Sequence, residues 1–229
     1  MPYVILTALL LLLAWAPSLW VRHVLRRHGA ERADLPGTGA ELARHLIERL
    51  GLDGVTVERT DPFRDHYDPA TRTVRLSPDH HDGRSLAAVA VATHEIGHAI
   101  QFARDEPLSR LRSRWLPLAN ALKRTGILIL TALPIIAIVL KAPAAMLGVV
   151  VLSLLLQLAG ALAYLIVLPE EYDASFVKAL PILKGGEYVA EGDLPAVRRV
   201  LQAAAWTYFA RALGDLVNIG RWAMIVLRR

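Results

Sequence analysis

Residues 91–101 read VATHEIGHAIQ and contain two histidines, His94 and His98, with Glu95 directly after the first. On an α-helix, residues four apart lie on one face, so two imidazoles can bind one metal ion without straining the backbone. Glu95 is then placed to act on a water molecule at that metal. Such a site usually has three protein ligands, and this stretch supplies two. The sequence therefore predicts a metal-binding helix whose third ligand lies elsewhere in the chain.

The helical pattern around this motif begins at Leu86, after Ser85 as its N-cap, and continues to about Arg104. So short a motif can also arise by chance. Its position within a helix argues against chance, as do the small neighbours that leave room for a substrate and a sheet, Ala92, Gly97 and Ala99. We expect zinc, because zinc lowers the pKa of its water towards ~7 and lets a carboxylate accept the proton.

A helix–sheet–helix unit is predicted over residues 38–104, and this is the part of the chain that resembles a soluble fold. Its first helix begins at Thr38, which forms a capping box with Glu41, and ends at Gly51. Alternating residues predict short strands, with a turn at Pro69 after the middle one: Val55–Arg59, His66–Tyr67 and Thr73–Leu76. We expect the last of these strands to be an edge that binds an extended peptide by strand addition.

Apolar residues make up 54% of the 229-residue chain, and the mean hydropathy is +0.37. The excess lies in three runs that predict membrane spans: Tyr3–Trp20, Gly126–Leu140 and Ala144–Leu168. The second run is short for a ~30 Å hydrocarbon core, but flanking lysine and arginine side chains would lengthen it. Cysteine is absent, which excludes disulfides, cysteine zinc sites and thiol catalysis.

The net charge is +5, and arginines crowd beside the apolar runs. Positive-inside topology explains this distribution, so the expected partner is the lipid bilayer and not nucleic acid. No positive charge precedes Tyr3, and we interpret the first run as an uncleaved anchor with its N-terminus outside. The predicted order is an anchor, a cytoplasmic catalytic domain, a transmembrane hairpin and a cytoplasmic helical region: residues 1–22, 23–124, 125–168 and 169–229.

The last of these regions contains three predicted elements. A short helix runs from Glu170 to Leu180, and a loop covers residues 185–192. A second helix, capped by Asp193, runs from Leu194 to about Leu213. The remaining residues, 214–229, have apolar side chains interrupted by charges, which predicts an interfacial helix and not a fourth span.

Four longer stretches resemble the YugP-type neutral zinc metallopeptidases, small bacterial membrane proteins: DHYDP at 65–69, TRTVRLSP at 71–78, GRSLAAVAVATHEIGHAIQ at 83–101 and LPEEYDAS at 168–175. That family is similar to HtpX and the CAAX prenyl proteases, whose third zinc ligand is a glutamate in a downstream E-[FY]-x-A-D motif. The resemblance implies a gluzincin-like fold with Glu171 as the third ligand. Ser175 stands where that motif has aspartate, and whether Asp173 takes over the aspartate's role stays open.

Several candidate side chains also fit roles that involve no metal and no catalysis. Acidic residues in the first turn of a helix complement its dipole, which applies to Glu170, Glu171 and Asp173. His66 and Tyr67 could donate hydrogen bonds to an oxyanion, but they could equally pack in a strand and turn. His80 and His81 fit a solvated loop.

Together these features predict a mainly α membrane protein with three transmembrane helices and a small α+β, zincin-like catalytic domain. Its predicted activity is that of a zinc endopeptidase in the bacterial plasma membrane, with zinc bound by His94, His98 and Glu171. Glu95 would act as general base and then as general acid. The resemblance implies membrane or misfolded proteins as substrates, and the oligomeric state is left open.

Two further functions compete with this one. A zinc-binding membrane scaffold or chaperone without turnover has the same motifs, and an activity assay separates it from a peptidase. A channel or transporter is disfavoured, because the predicted spans hold no ionisable residue at mid-depth.

Overall fold

The computed structural model describes the backbone of residues 2–133, 135–136, 143–210 and 212–217, and the side chains of these residues except 2–14, 143 and 144. The described chain is mostly helical with one small sheet. Its contacts divide it into two compact units. We call residues 19–110 and 168–207 the polar unit, and residues 1–18, 111–167 and 208–229 the apolar unit. The predicted domain bounds differ from this division and stay predictions.

The first helix that lies entirely within the polar unit is one that the sequence predicted. Helix α2 runs from Gly39 to Arg49, and both hydrogen bonds of the Thr38–Glu41 capping box are present. Gly51 follows with a φ of 61°, a left-handed conformation that suits glycine and ends the helix. Helix α1, which precedes it, covers Pro2–Arg27 and so contains the first predicted span.

Three strands form the sheet: β1 (Thr56–Arg59), β2 (His66–Asp68) and β3 (Thr73–Leu76). Their order is β1-β3-β2, with β1 parallel and β2 antiparallel to β3. The expectation that β3 is an edge strand was wrong. Both of its sides are hydrogen-bonded, so no peptide can add to it, and among the described strands the edges are β1 and β2. The sequence missed this because strand order depends on non-local pairing.

A single helical turn, α3 (Pro78–His81), follows the sheet. Helix α4 (Leu86–Ala103) comes next and packs against β2 and β3. The side chain of Ser85 accepts a hydrogen bond from the Ala88 N–H, as expected of an N-cap. Every residue of α4 from Leu86 to Gln101 is buried. The motif helix is therefore the central element of the polar unit, packed against α2, the sheet and the helices that follow residue 168.

The helix predicted from Glu170 to Leu180 is longer and irregular. It consists of α7 (Leu168–Tyr172), a π-helical segment (Asp173–Ala179) and α8 (Leu180–Gly185). Pro181 lies in the first turn of α8 and does not stop the helix, although its ring removes one backbone donor. The predicted loop consequently begins one residue later, at Gly186, and it ends in a short 3-10 turn, Glu191–Asp193.

Helix α9 spans Leu194–Ala205, so the prediction that it extends to Leu213 without a break was wrong. A turn at Trp206 interrupts it, and residues 207–210 and 212–217 are helical again. Asp193 occupies the N-cap position but makes no capping bond. Its carboxylate instead accepts hydrogen bonds of 3.1 and 2.8 Å from Arg32, a contact 161 residues apart in sequence that local rules could not predict.

The apolar unit contains most of α5 (Pro107–Thr131) and all of α6 (Pro143–Leu165). Among the described residues, one helical stretch is long and apolar enough to cross a membrane, and it begins at Ala145, inside α6. Its exposed side chains include several leucines, as expected of a lipid-facing helix: Leu147, Leu152, Leu155 and Leu162. Three spans thus remain a prediction. The second predicted span, 126–140, lies partly outside the described residues, as does the predicted interfacial helix at 214–229.

Small residues bring α5 and α6 together. A Cβ on Gly126 would lie 2.7 Å from the Ser153 carbonyl oxygen, and one on Gly160 would lie 2.8 Å from that of Ala119. Ser153 also donates a 2.5 Å hydrogen bond to the Gly126 carbonyl. Glycines at a helix–helix contact and a buried hydroxyl that bonds across it are typical of packing in membranes.

Candidate metal centre

Helix α4 presents the two motif histidines on one face. The imidazole rings of His94 and His98 lie 4.7 Å apart, nearly perpendicular to one another, and both side chains are buried. Glu171 reaches them from α7. Its Oε2 atom lies 3.3 Å from Nε2 of His94 and 3.4 Å from Nε2 of His98. Three side chains from two elements therefore converge through one atom each.

The spacing of these atoms fits a metal ion. Two atoms that each lie ~2.0–2.1 Å from a tetrahedral zinc ion are about 3.3–3.4 Å apart. The distances from Glu171 to both histidines equal that separation, and the three candidate ligand atoms all lie within 4.8 Å of one another. Two imidazoles and one carboxylate are also a ligand set that zinc uses in hydrolytic sites. The residues present thus fit zinc.

A hydroxyl determines which nitrogen of His94 is protonated. Ser175 Oγ donates to the Leu201 carbonyl oxygen, 3.1 Å away, and lies 3.0 Å from His94 Nδ1. A serine has one hydroxyl hydrogen, so with that hydrogen on Leu201 it can only accept from His94 Nδ1–H. The Nε2 lone pair of His94 is then left facing Glu171. Ser175 stands where the related motif has aspartate, and it is Ser175 itself that contacts His94.

His98 is oriented in the same way by a different residue. Its Nδ1 lies 2.9 Å from Oε1 of Gln101, three residues along the same helix. An amide oxygen only accepts, so His98 donates from Nδ1 and its Nε2 carries the lone pair. Both histidines consequently present Nε2 to the same point. The sequence did not single out Gln101, although it is the last residue of the conspicuous VATHEIGHAIQ stretch.

Glu95 is buried beside the ligand face. Burial raises the pKa of its carboxyl above the ordinary value, and the nearby carboxylates of Glu171 and Asp65 raise it further, while His94 and His98 oppose the shift. A carboxyl with a raised pKa holds an accepted proton more firmly than an ordinary carboxyl and can then pass it to a leaving group. The position and the environment of Glu95 therefore suit acid–base chemistry.

The π-helical segment lies directly on α4, and one glycine permits this. A Cβ on Gly97 would lie 2.7 Å from the carbonyl oxygen of Ala174 and 3.1 Å from its Cα. No side chain fits there without moving backbone. Gly97 stands between the two histidines in sequence. The close contact between Gly97 and the Ala174 backbone therefore brings Glu171 and Ser175 to the site.

The family to which the chain belongs follows from comparison with known sequences. The model of a family described as "Putative neutral zinc metallopeptidase" matches residues 3–227. The chain belongs to this family. A relative from Bacillus subtilis (strain 168), "Putative membrane protease YugP", is 32% identical over 228 residues, which cover 99% of this chain and 97% of the relative. No solved structure matches the chain. Zinc is accordingly the metal that the cluster could hold.

Glu170, the neighbour of Glu171 in this zinc metallopeptidase chain, is also buried. Its side chain is 1% exposed, and Oε1 lies 3.6 Å from His98 Nδ1, on the side of the ring that faces Gln101. The cluster of candidate ligand atoms contains Glu171, while Glu170 lies behind the imidazole.

The two predicted oxyanion donors have other contacts. The Tyr67 ring is buried against Phe102 at 5.7 Å, and burial raises the pKa of its hydroxyl while Arg72 bonds to it. His66 Nδ1 lies 2.7 Å from the Arg64 carbonyl oxygen, and the side chain is partly exposed. These contacts account for Tyr67 as a packing residue of β2. His66 uses one ring nitrogen on the backbone and keeps Nε2 for another contact.

A second buried polar cluster joins the start of β2 to the end of β3. The Asp65 carboxylate accepts from the backbone N–H of Ser77 at 2.7 Å and from its hydroxyl at 2.9 Å, and it lies 2.9 Å from His80 Nδ1. The interpretation of His80 as a solvated loop residue was wrong, since it is 7% exposed. The pairing with Asp65 was beyond local sequence rules, because the two residues are 15 positions apart and both β2 and β3 lie between them.

Proposed function

We propose that this protein is an integral membrane zinc endopeptidase, in which His94, His98 and Glu171 hold the zinc ion and Glu95 transfers the proton. The observation that carries the proposal is the convergence of the two Nε2 atoms and the Glu171 carboxylate at 3.3 and 3.4 Å. Family membership supports a hydrolase that uses zinc. The endopeptidase activity and the roles of the individual residues are our proposal.

The side chains of the site have separate roles in the proposed reaction. Zinc held by the three ligands would supply Lewis-acid polarisation of a peptide carbonyl and of the attacking water. Glu95 takes a proton from that water and delivers it to the leaving peptide nitrogen. Its burial supports both steps, since a raised pKa lets the carboxyl hold the proton between them. The hydroxyl of Ser175 and the amide of Gln101 keep the two imidazoles in their binding tautomers throughout.

An extended substrate would pair with β2. This strand has one side hydrogen-bonded to β3, and within the described residues its other side is unpaired. It also contacts the motif helix, where Tyr67 packs against Phe102. Strand addition would align the peptide backbone along the catalytic helix. His66 donates from Nδ1 to the Arg64 carbonyl oxygen, so its Nε2 is a candidate acceptor for a substrate N–H. The edge strand β1 is the less suitable partner, since its main helical contact is with α2.

The proposed substrates are membrane or misfolded proteins cleaved near the cytoplasmic face of the bacterial plasma membrane. The relative from Bacillus subtilis is named as a membrane protease, which supports this choice. Helix α1 has Arg26 and Arg27 in its last turn, and by the positive-inside rule these arginines support a cytoplasmic position for that end. This orientation is part of the proposal.

Purified full-length protein in detergent tests the function. We expect about one zinc ion per chain and cleavage of a generic unfolded protein, lost on chelation and restored by added zinc. Internal cleavage sites, identified by mass spectrometry of the products, would distinguish an endopeptidase from an exopeptidase. Stoichiometric zinc with no cleavage of any unfolded or membrane substrate would instead favour the zinc-binding scaffold.

A further inference from the structure

A series of buried and half-buried polar groups extends from His98 away from the metal centre. Gln101 accepts from His98 through Oε1 at 2.9 Å. Its Nε2 donates to Asp173 Oδ2 at 2.7 Å and to the Glu170 carbonyl oxygen at 3.0 Å. Lys178 Nζ in turn donates to Asp173, and it forms an ion pair of 2.8 Å with Glu106. Among the described residues, the group that could hold a metal ion consists of His94, His98 and Glu171, so Gln101, Asp173, Lys178 and Glu106 lie outside it.

The orientation of the Gln101 amide follows from its partners. Two acceptors, a carboxylate and a carbonyl, face one end of the amide, so that end must be the NH₂ group. The oxygen is then forced towards His98, and it can only accept. An amide that is free to rotate by half a turn would present a donor to His98 Nδ1 and would favour the wrong tautomer. The contacts of Nε2 therefore determine which nitrogen of His98 is free for a metal.

Lys178 holds Asp173 in the place that this orientation needs. On an α-helix, residues five apart point about 140° away from each other. In a π-helix the backbone bonds join residues five apart, so residues 173 and 178 become neighbours. Burial favours the neutral amine of Lys178, but its bonds to Asp173 and Glu106 outweigh this and hold its pKa above the ordinary value. The π-helical segment thus places Lys178 against Asp173, next to the metal centre.

We propose that Gln101, Asp173 and Lys178 are positioning residues that hold His98 in its metal-binding tautomer, through a contact that the π-helical segment creates. The inference rests on the proposed metal centre. It predicts that these residues affect zinc affinity without touching zinc. A merely structural role predicts something different: lower stability of the metal-free protein with unchanged zinc affinity.

Zinc affinity of the full-length protein, measured in detergent by competition with a chromophoric chelator, tests the proposal. Gln101→Met keeps the side-chain length and removes both hydrogen-bonding groups, and we expect zinc affinity to fall by about 10- to 100-fold. Gln202→Met makes the same chemical change at an exposed position of α9 and should leave zinc affinity unchanged. The melting temperature of each metal-free variant is recorded alongside.

A double substitution tests the link through Lys178. Lys178→Met leaves two carboxylates, Asp173 and Glu106, without their cation, and we expect zinc affinity to fall. Asp173→Asn in the same chain removes one of those charges and keeps an acceptor for Gln101, so it should recover part of the loss. Lys184→Met, at an exposed position of α8, is the matched control.

The outcomes separate the two proposals. If the wild type binds no zinc, or if His98→Ala binds zinc as tightly as the wild type, the proposed function fails. If His98→Ala weakens binding while Gln101→Met equals the wild type, the positioning proposal is overturned and the function stands. Should Gln101→Met not fold, Asp173→Leu decides, because it removes the carboxylate that accepts from Gln101 Nε2; unchanged zinc affinity there would overturn the proposal.

Discussion

Glu95 combines three properties at the scale of a single residue: it is buried, it lies beside two histidines, and the pKa of its carboxyl is raised by burial. The two histidines differ from it in having fixed partners on the far side of each ring, Ser175 and Gln101. A carboxyl group with a raised pKa can accept a proton and return it, whereas a constrained imidazole can hold a metal. The division between base and ligand therefore follows from the contacts of each side chain.

Glu95→Gln should abolish cleavage while zinc remains bound. The amide preserves the size of the side chain but cannot accept the proton, and loss of a general base typically lowers the rate by about 10²- to 10⁴-fold. Zinc content by atomic absorption and cleavage of an unfolded substrate are the two measurements. A variant that retains zinc and cleaves at the wild-type rate would show that Glu95 is not the base.

Glu171→Ala should lower zinc occupancy and abolish activity, because it removes one of three ligands. Glu170→Ala should keep zinc and cost stability instead, since Glu170 is buried behind His98 and not among the converging atoms. Glu187→Ala, at an exposed position, is the control for general effects of removing a carboxylate. Full zinc occupancy and full activity in Glu171→Ala would remove this residue from the site.

At the scale of elements, the site depends on how closely two helices approach. The π-helical segment lies against α4 at Gly97, and the start of β2 is joined to the end of β3 through Asp65. Neither contact involves a candidate ligand. Both determine where ligand-bearing or substrate-binding elements lie, so substitutions there should act on the site from a distance.

Gly97→Ala should destabilise the polar unit and weaken zinc binding. The added Cβ would meet the Ala174 backbone 2.7 Å away, and overpacking of this kind typically costs about 1–3 kcal/mol. Thermal unfolding of the metal-free protein and zinc affinity are measured together. Gly185→Ala adds the same methyl group where nothing lies within 4 Å, and it should be neutral. Equal behaviour of the two variants would contradict the close contact.

We expect the protein to lose stability in acid, because protonation of Asp65 removes a stabilising contribution. Burial favours its neutral form, but hydrogen bonds from His80 and Ser77 outweigh this and hold the pKa of Asp65 below the ordinary value. Its stabilising contribution is therefore present above an unfolded-state pKa of about 3.9 and is lost as the pH falls through the lower folded-state value.

Thermal unfolding as a function of pH checks this linkage. Asp65→Asn should flatten the stability profile below about pH 4, whereas Asn at the exposed position Asp53 should leave its slope unchanged. A wild-type profile that does not fall through this acid range, or an Asp65→Asn profile as steep as that of the wild type, would show that the Asp65 pair does not stabilise the fold.

At the scale of the whole molecule, the metal cluster constrains the topology. His98 and Glu171 lie 3.4 Å apart, so the chain between them must begin and end on the same side of any membrane it enters. If α6 crosses the bilayer, a second crossing must occur between these residues, and the run at 126–140 is the remaining apolar segment. An even number of crossings is therefore a requirement of the site itself.

Reporter fusions test this topology. A fusion after residue 60 should be active only as a cytoplasmic reporter, because arginines follow the first predicted span and precede the second. A fusion in the segment 141–145, which carries a single lysine, should report the outside. Residue 60 outside, or both positions on one side, would contradict the predicted orientation.

The sequence by itself was sufficient for the parts of this protein that depend on neighbours along the chain. The capped helix α2, the three short strands and the motif helix α4 follow from periodicity, caps and turn residues, all of which act over a few positions. The pair of histidines on one helical face follows from the same short-range geometry. The likeness of four motifs to a known family added Glu171, which no local rule would have selected.

Only the tertiary structure decided how these parts meet. The central position of β3, the buried pair of Asp65 and His80, and the role of Ser175 all depend on contacts between residues far apart in sequence. The π-helical segment belongs to the same group, because its fit against Gly97 and its lysine-bridged aspartate exist only when α4 is already in place. Hydrogen bonding and packing across the fold have no counterpart in a local pattern, and for this reason they became visible only in the folded chain.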